Sequence, residues 1–188
     1  MNGEGINHDQ IILQTISWIK NIVIGCNFCP FAAKALLQNR IRYVVLHNAN
    51  EEKSLSLLLA EMKLMDQSND VETTLIILPD SFDDFKKYLE LVDLAEALIA
   101  QEAYEGIYQV ASFHPEYLFA GSNDEDPANY TNRSLYPMLH ILREDSVTKA
   151  VDYYENIERI PKDNIAYARA KGLAYMQTLR NLCKNIAN

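Results

Sequence analysis

The chain has 188 residues, 48% of them apolar and 23% charged, with a formal charge of -9. That is one domain's length with enough apolar content for a core, and it excludes the charge-rich, aromatic-poor profile of disorder. Residues 1–50, 51–105 and 106–188 carry +2, -10 and -1, with no Lys/Arg cluster, so nucleic acid and an anionic membrane surface are excluded as partners, whereas a small anion met by local Arg and His is not.

No stretch approaches the roughly 18 uninterrupted apolar residues of a membrane helix. Met1–Gln10 lacks the basic-then-apolar layout of a signal peptide. Cys26, Cys29 and Cys183 are too few and odd in number for a disulfide framework. The expectation is a soluble protein of the reducing cytoplasm; its oligomeric state and any cofactor are left open.

Ile12, Ile16, Ile19 and Val23 recur at helical spacing, so residues 8–24 read as an amphipathic helix stopped by Gly25. Pro30 can open the next helix, Phe31 to about Leu37, where its missing N–H is no loss. Ile41–His47 reads as a strand, the Leu55, Leu58, Leu59, Met62, Met65 series as a helix, and Thr73–Leu78 as a β-branched strand that needs cover on both faces. Ser81, Asp83 and Asp84 start a helix carrying Phe85, Leu89, Val92, Ala95 and Ile99, and Gly106–Phe113 is a third strand.

From Pro115 to Arg133 no period is sustained, and a loop of 19 residues exceeds the ~12–15 usual inside a compact domain. Its Tyr117, Phe119 and Tyr130, with Tyr136 beyond, argue for an ordered loop. Leu135–Arg143 and Val147–Tyr154 read as short helices, and Pro161 opens a last one with Ile165, Ala168, Tyr175, Leu179 and Leu182 on one side. The order predicts one α/β domain over residues 1–188: a small, mostly parallel three-stranded βαβαβ sheet with helices on both faces and a helical C-terminal part. A ferredoxin-like α+β arrangement is the alternative.

Three places carry chemistry. Cys29 stands just before a helix start, where free N–H groups and the dipole favour thiolate, against the reading of a small packed side chain. The Cys26–Cys29 pair follows a helix rather than a strand and is half of a zinc site, so neither redox nor metal motif is complete. His114 ends a strand and enters the long loop, the usual place for ligands in open α/β sheets, with Pro115 stiffening the exit. The segment Asn129, Asn132, Arg133, Ser134, His140, Arg143 and Glu144 reads as a capped helix whose N-terminus and arginines receive carboxylate or phosphate. Its plainer reading is a capped surface helix with an Arg–Glu face.

His114, His140, Asp124, Asp126 and Glu144 are the side chains a divalent ion would draw on, but no spacing fixes two of them on one helix, and no metal site is assigned. Phosphate-loop, dinucleotide and nucleophile-elbow motifs are absent from the sequence.

Cys29-Pro30-Phe31-Ala32, Arg42-Tyr43-Val44-Val45, Phe113-His114-Pro115, Phe119-Ala120-Gly121, Asn129 to Ser134 and Met138 to Glu144 together resemble the domain of unknown function family number 1415, found in bacteria and plants. In that pattern a Leu-like residue stands where this chain has Cys26, which argues against a two-thiol redox reading and leaves Cys29 alone. The resemblance groups the motifs and implies no reaction.

The expected function is an enzyme acting on a small anionic metabolite, carboxylate or phosphate. Arg133 and Arg143 hold the anion, His114 or His140 is the general acid/base, Asn129 and Asn132 orient, and Cys29 is nucleophile or wall. The alternative is a non-catalytic binding or interaction protein in which the same groups are structural.

Overall fold

A computed structural model describes residues 7–147 and 159–185. Helix α1 (His8–Trp18) is capped by Asn7 and runs on as a π-helix, Ile19–Ile24. Gly25 follows it, and the position must be glycine because a Cβ there would lie 2.4 Å from the Asn21 carbonyl oxygen. Then come α2 (Ala32–Leu37), β1 (Ile41–Val45), α3 (Glu51–Gln67), β2 (Thr73–Ile77), α4 (Phe85–Gln101) and β3 (Tyr108–Phe113). A 3-10 helix (Pro127–Thr131), β4 (Met138–Arg143), α5 (Ile160–Lys171) and α6 (Leu173–Leu182) follow. Asn50 and Asp84 cap α3 and α4 by accepting from the N–H groups three residues on.

The sheet has four strands in the order β1-β2-β4-β3. β1 and β2 pair in parallel, and β4 pairs antiparallel with both β2 and β3. Strands β1, β2 and β3 therefore run in one direction, as the predicted βαβαβ unit requires, but β4 is inserted between the last two. The fold is mixed α/β, and neither a three-stranded parallel sheet nor a ferredoxin-like one. Because β1, β2 and β3 advance across the sheet in one sense, crossovers of one hand must lie on one face. Accordingly α3 and α4 pack together on Ile76, Leu78, Leu139, Ile141 and Tyr108. Covering the other face falls to α1, the π-helix and the chain's C-terminal helices, which join Val45, Leu75, Ile77 and Met138 in a second core.

Residues 138–143, read from sequence as the end of a helix, form β4. The run Met-Leu-His-Ile-Leu-Arg is apolar on both faces, so its periodicity does not separate a buried strand from a helix. What decides it is a row of open N–H and C=O groups on each of β2 and β3, which β4 pairs along its whole length. Asn132 and Ser134 consequently cap no helix there. The single C-terminal helix expected after Pro161 is two, broken at Gly172, whose φ of +82° an L side chain rarely adopts. Of the expected helix at Val147–Tyr154, most lies outside the described residues; residues 144–147 are helical.

Two ties fix the layers. Tyr88 of α4 donates its hydroxyl to the Met138 carbonyl at 2.6 Å and accepts from the Phe113 N–H at 3.0 Å, closing the end of the β3–β4 ladder. Glu61 of α3, buried, takes Arg42 of β1 in two hydrogen bonds of 2.7 and 3.2 Å. With β2 and β4 both internal, their backbone amides should exchange most slowly with solvent deuterium, near the global unfolding rate. Exchange of the β4 amides as fast as that of the terminal residues would contradict the inserted strand.

Candidate functional site

Among the described residues, the one-sided crossovers leave part of the sheet's second face without a helix over it. There a cleft of about 1350 Å³ opens, floored by Thr73 and Leu75 of β2, His140 and Leu142 of β4, and Gln109, Ala111 and Phe113 of β3. One wall is the π-helix (Ile19, Val23) and the start of α2 from Cys29 to Ala35. The π-turn brings this wall close, since the Val23 carbonyl accepts from both the Phe28 and Cys29 N–H groups. π-Turns of this kind recur at functional sites.

His140 sits mid-floor, paired in register with Leu75 and Ala111. The Thr73 hydroxyl lies 2.5 Å from the Ile141 carbonyl oxygen and 2.6 Å from His140 Nε2. A carbonyl carries no proton, so the hydroxyl donates to Ile141, and Nε2 must be the donor to the hydroxyl. That fixes the Nε2–H tautomer and leaves Nδ1 as an acceptor with no partner among the described residues. Burial pushes the imidazole down to about 4, so it is neutral at pH 7.

Cys29, half-buried, shares the cleft with His140. The helix start was expected to lower its thiol, and the N–H groups of Phe31 and Ala32 do pull that way, but burial outweighs them and pushes the thiol up. Two cations sequence reasoning did not single out also line the cleft. Arg40 is tied to Glu72 at 2.8 Å and to the Asn69 carbonyl at 2.6 Å, while Lys34 is exposed and makes no hydrogen bond or ion pair to a described residue. Neither carried a local signal, because what brings them to the cleft is the fold of α2 back toward β1.

The remaining predicted residues are spent on the fold. His114 is fully buried; its Nδ1 accepts from the Glu116 N–H at 3.0 Å and its Nε2 meets the Phe82 carbonyl at 2.9 Å. Arg133, 8% exposed, donates to the carbonyls of Tyr117 and Asp124, pairs with the Asp124 carboxylate at 3.6 Å and stacks on Tyr130. Asn129 accepts from the Phe119 N–H and donates to the Asn123 carbonyl; Asn132 reaches the Ser112 carbonyl, and Ser134 that of Tyr136. Together these bonds order the long loop, as its aromatic content led one to expect.

Arg143 and His140 were expected on one helical face, but strand period two turns them to opposite faces; Arg143 still contributes to the lining of the cleft, while its guanidinium is taken up elsewhere. The Arg143 guanidinium closes the C-terminal end of α3 on the carbonyls of Met65 and Ser68 and touches the Tyr108 hydroxyl. Glu144 begins the helical turn at residues 144–147, its N–H held by the Ile107 carbonyl.

The sequence matches the family described as protein of unknown function (DUF1415) over residues 10–178. The chain belongs to this family. No curated protein and no solved structure matches it. The motifs that carried the resemblance are divided between the two roles just described: Cys29 to Ala32 and His140 line the cleft, while His114 and Asn129 to Ser134 are taken up by hydrogen bonds that hold the long loop. Among the described residues no group of three His, Cys, Asp or Glu is placed to hold a metal ion, and no helix is long and apolar enough to cross a membrane.

His114 and His140 are both held below their ordinary range, which links stability to pH. The unfolded chain protonates His140 near 6.5 and the folded one only near 4. Between those values the unfolded state binds more protons, so stability is full above about pH 6.5 and falls on acidification toward 4, by roughly 3 kcal/mol at most for this residue. Urea midpoints measured from pH 7.5 to 4 should show the decline, and His140→Gln should flatten it. An unchanged slope in the variant would place the His140 pKa near its ordinary value.

Proposed function

We propose that the protein is an enzyme acting on a small anionic metabolite in this cleft, with His140 as general base. The observation that carries the reading is the neutral His140 imidazole, locked by Thr73 with Nδ1 left as acceptor, on the floor of a large cleft. Locking the tautomer is preorganisation: the base need not turn or exchange protons before it acts.

A base with a pKa near 4 is weak at pH 7, and an anion supplies what it lacks. A carboxylate or phosphate bound nearby stabilises imidazolium and raises the pKa toward the working pH, where general bases are most effective. The same anion is met by Lys34 and the edge of Arg40, in place of the arginine pair read from sequence. When Nδ1 takes a proton, Nε2–H stays on Thr73, so the cation forms without rearrangement. Cys29, a protonated thiol at neutral pH, serves as part of the wall.

Non-catalytic binding is the second reading, favoured by the internal pairing of His114, Asn129, Asn132, Arg133 and Ser134. Proton NMR of a panel of carboxylates and phosphates in deuterium oxide separates the two. Turnover or deuterium incorporation by the native protein, reduced about 100-fold or more in His140→Gln, is expected of a general base. Melting shifts with no turnover of any compound would favour the binding protein.

A further inference from the structure

The cleft is chemically graded from end to end. Its polar end lies where β1 and β2 begin, at Arg40 and Glu72, with Lys34 alongside on α2. The opposite end is apolar and aromatic, where Trp18 and Phe113 meet edge to face at 5.2 Å. His140 stands between the two. A small anion such as phosphate would occupy the polar end and leave the partly exposed Ala111 and Phe113 uncovered, and the cleft's volume of about 1350 Å³ exceeds that of most small-ligand sites at roughly 300–1,000 Å³.

We propose that the ligand of this cleft is a hydroxy acid with an apolar chain: carboxylate at Lys34 and Arg40, hydroxyl donating to His140 Nδ1, and chain lying along the floor toward Trp18 and Phe113. The proposal rests on the reading of the cleft as an anion-metabolite site and names its substrate class. Each part follows from a group on the walls. Lys34 is a cation without a carboxylate partner among the described residues, whereas Arg40 is already shared with Glu72. Nδ1 is an acceptor and asks for a donor, which a carboxylate at neutral pH lacks and a hydroxyl supplies. An apolar floor rewards every methylene laid on it. Asp145 is the other carboxylate on the cleft's lining, and it discourages a second anionic group on the ligand.

Calorimetry on the full chain at constant ionic strength tests this with butyrate, hexanoate, octanoate, 3-hydroxyoctanoate, octylamine, succinate and inorganic phosphate. Affinity should rise about fourfold per added methylene from butyrate to octanoate. The hydroxyl should add about five- to tenfold, the net worth of one hydrogen bond. Octylamine should bind at least tenfold more weakly than octanoate, and Lys34→Glu, at an exposed position, should reverse that order. In the native protein the ¹⁵N resonance of His140 Nδ1 should move with 3-hydroxyoctanoate and less with octanoate, which reads the contact without any substitution. Affinity flat with chain length, octylamine equal to octanoate, or an indifferent hydroxyl overturns the hydroxy-acid assignment. If phosphate or succinate binds while chain length has no effect, the assignment fails and the anion-metabolite reading stands; if no probe binds, both fail.

Discussion

Strand β4, running antiparallel between two strands that are parallel to each other, is the constraint on which the rest depends. Without it β2 and β3 would each expose an edge of unpaired backbone groups, and the two crossover helices would have no continuous floor to pack on. With it, one face of the sheet is filled by α3 and α4, and the other presents His140 between Leu75 and Ala111. The Thr73–Ile141 hydrogen bond at 2.5 Å joins β2 to β4 and, through the same hydroxyl, sets the His140 proton. Strand pairing and the chemistry of the floor are thus one interaction.

The polar side chains divide according to whether their hydrogen-bonding capacity is consumed. Arg133, Arg143 and His114 are buried or half-buried groups whose donors and acceptors meet backbone, and such groups are costly to leave unmade. They hold the long loop, the end of α3 and the Phe82 turn, whose φ of +61° is unusual for a bulky residue. Arg169 and Asp126 add a bidentate clamp from α5 at 3.0 and 2.7 Å, which holds the Asp126 carboxyl far below its usual range. Among the described residues of the cleft, His140 Nδ1 and Lys34 keep their capacity for a ligand.

The helices α1, α3 and α4 and the strands β1, β2 and β3 were legible in the sequence because each has a clear period, a cap or a β-branched run between breakers. β4 was not, since a strand buried on both faces shows no alternation, and Asn132 and Ser134 offered false caps just before it. That one misreading moved His140, Arg143 and Glu144 onto a shared helical face, when period two sends His140 to the cleft and Arg143 to α3. Cys29 was legible as a helix-start thiol, but its N–H is held by the Val23 carbonyl of the π-helix Ile19–Ile24, for which the sequence carries no marker beyond Gly25. Lys34, Arg40 and Thr73 gain meaning only from neighbours far along the chain.

The proposed function rests on a single imidazole whose tautomer is set by strand pairing and whose neutrality is set by burial. The anion is required in that account for a physical reason, to bring a buried neutral base back toward working pH, rather than by the number of arginines nearby. The most direct test is ¹⁵N NMR of the histidine side chains of the native protein across pH 3.5 to 8. The account predicts the Nε2–H tautomer for His140, neutral down to about pH 4, with its titration midpoint raised when a carboxylate ligand is added. A rapidly exchanging mixture of tautomers titrating near 6.5, unmoved by any anion, would contradict it.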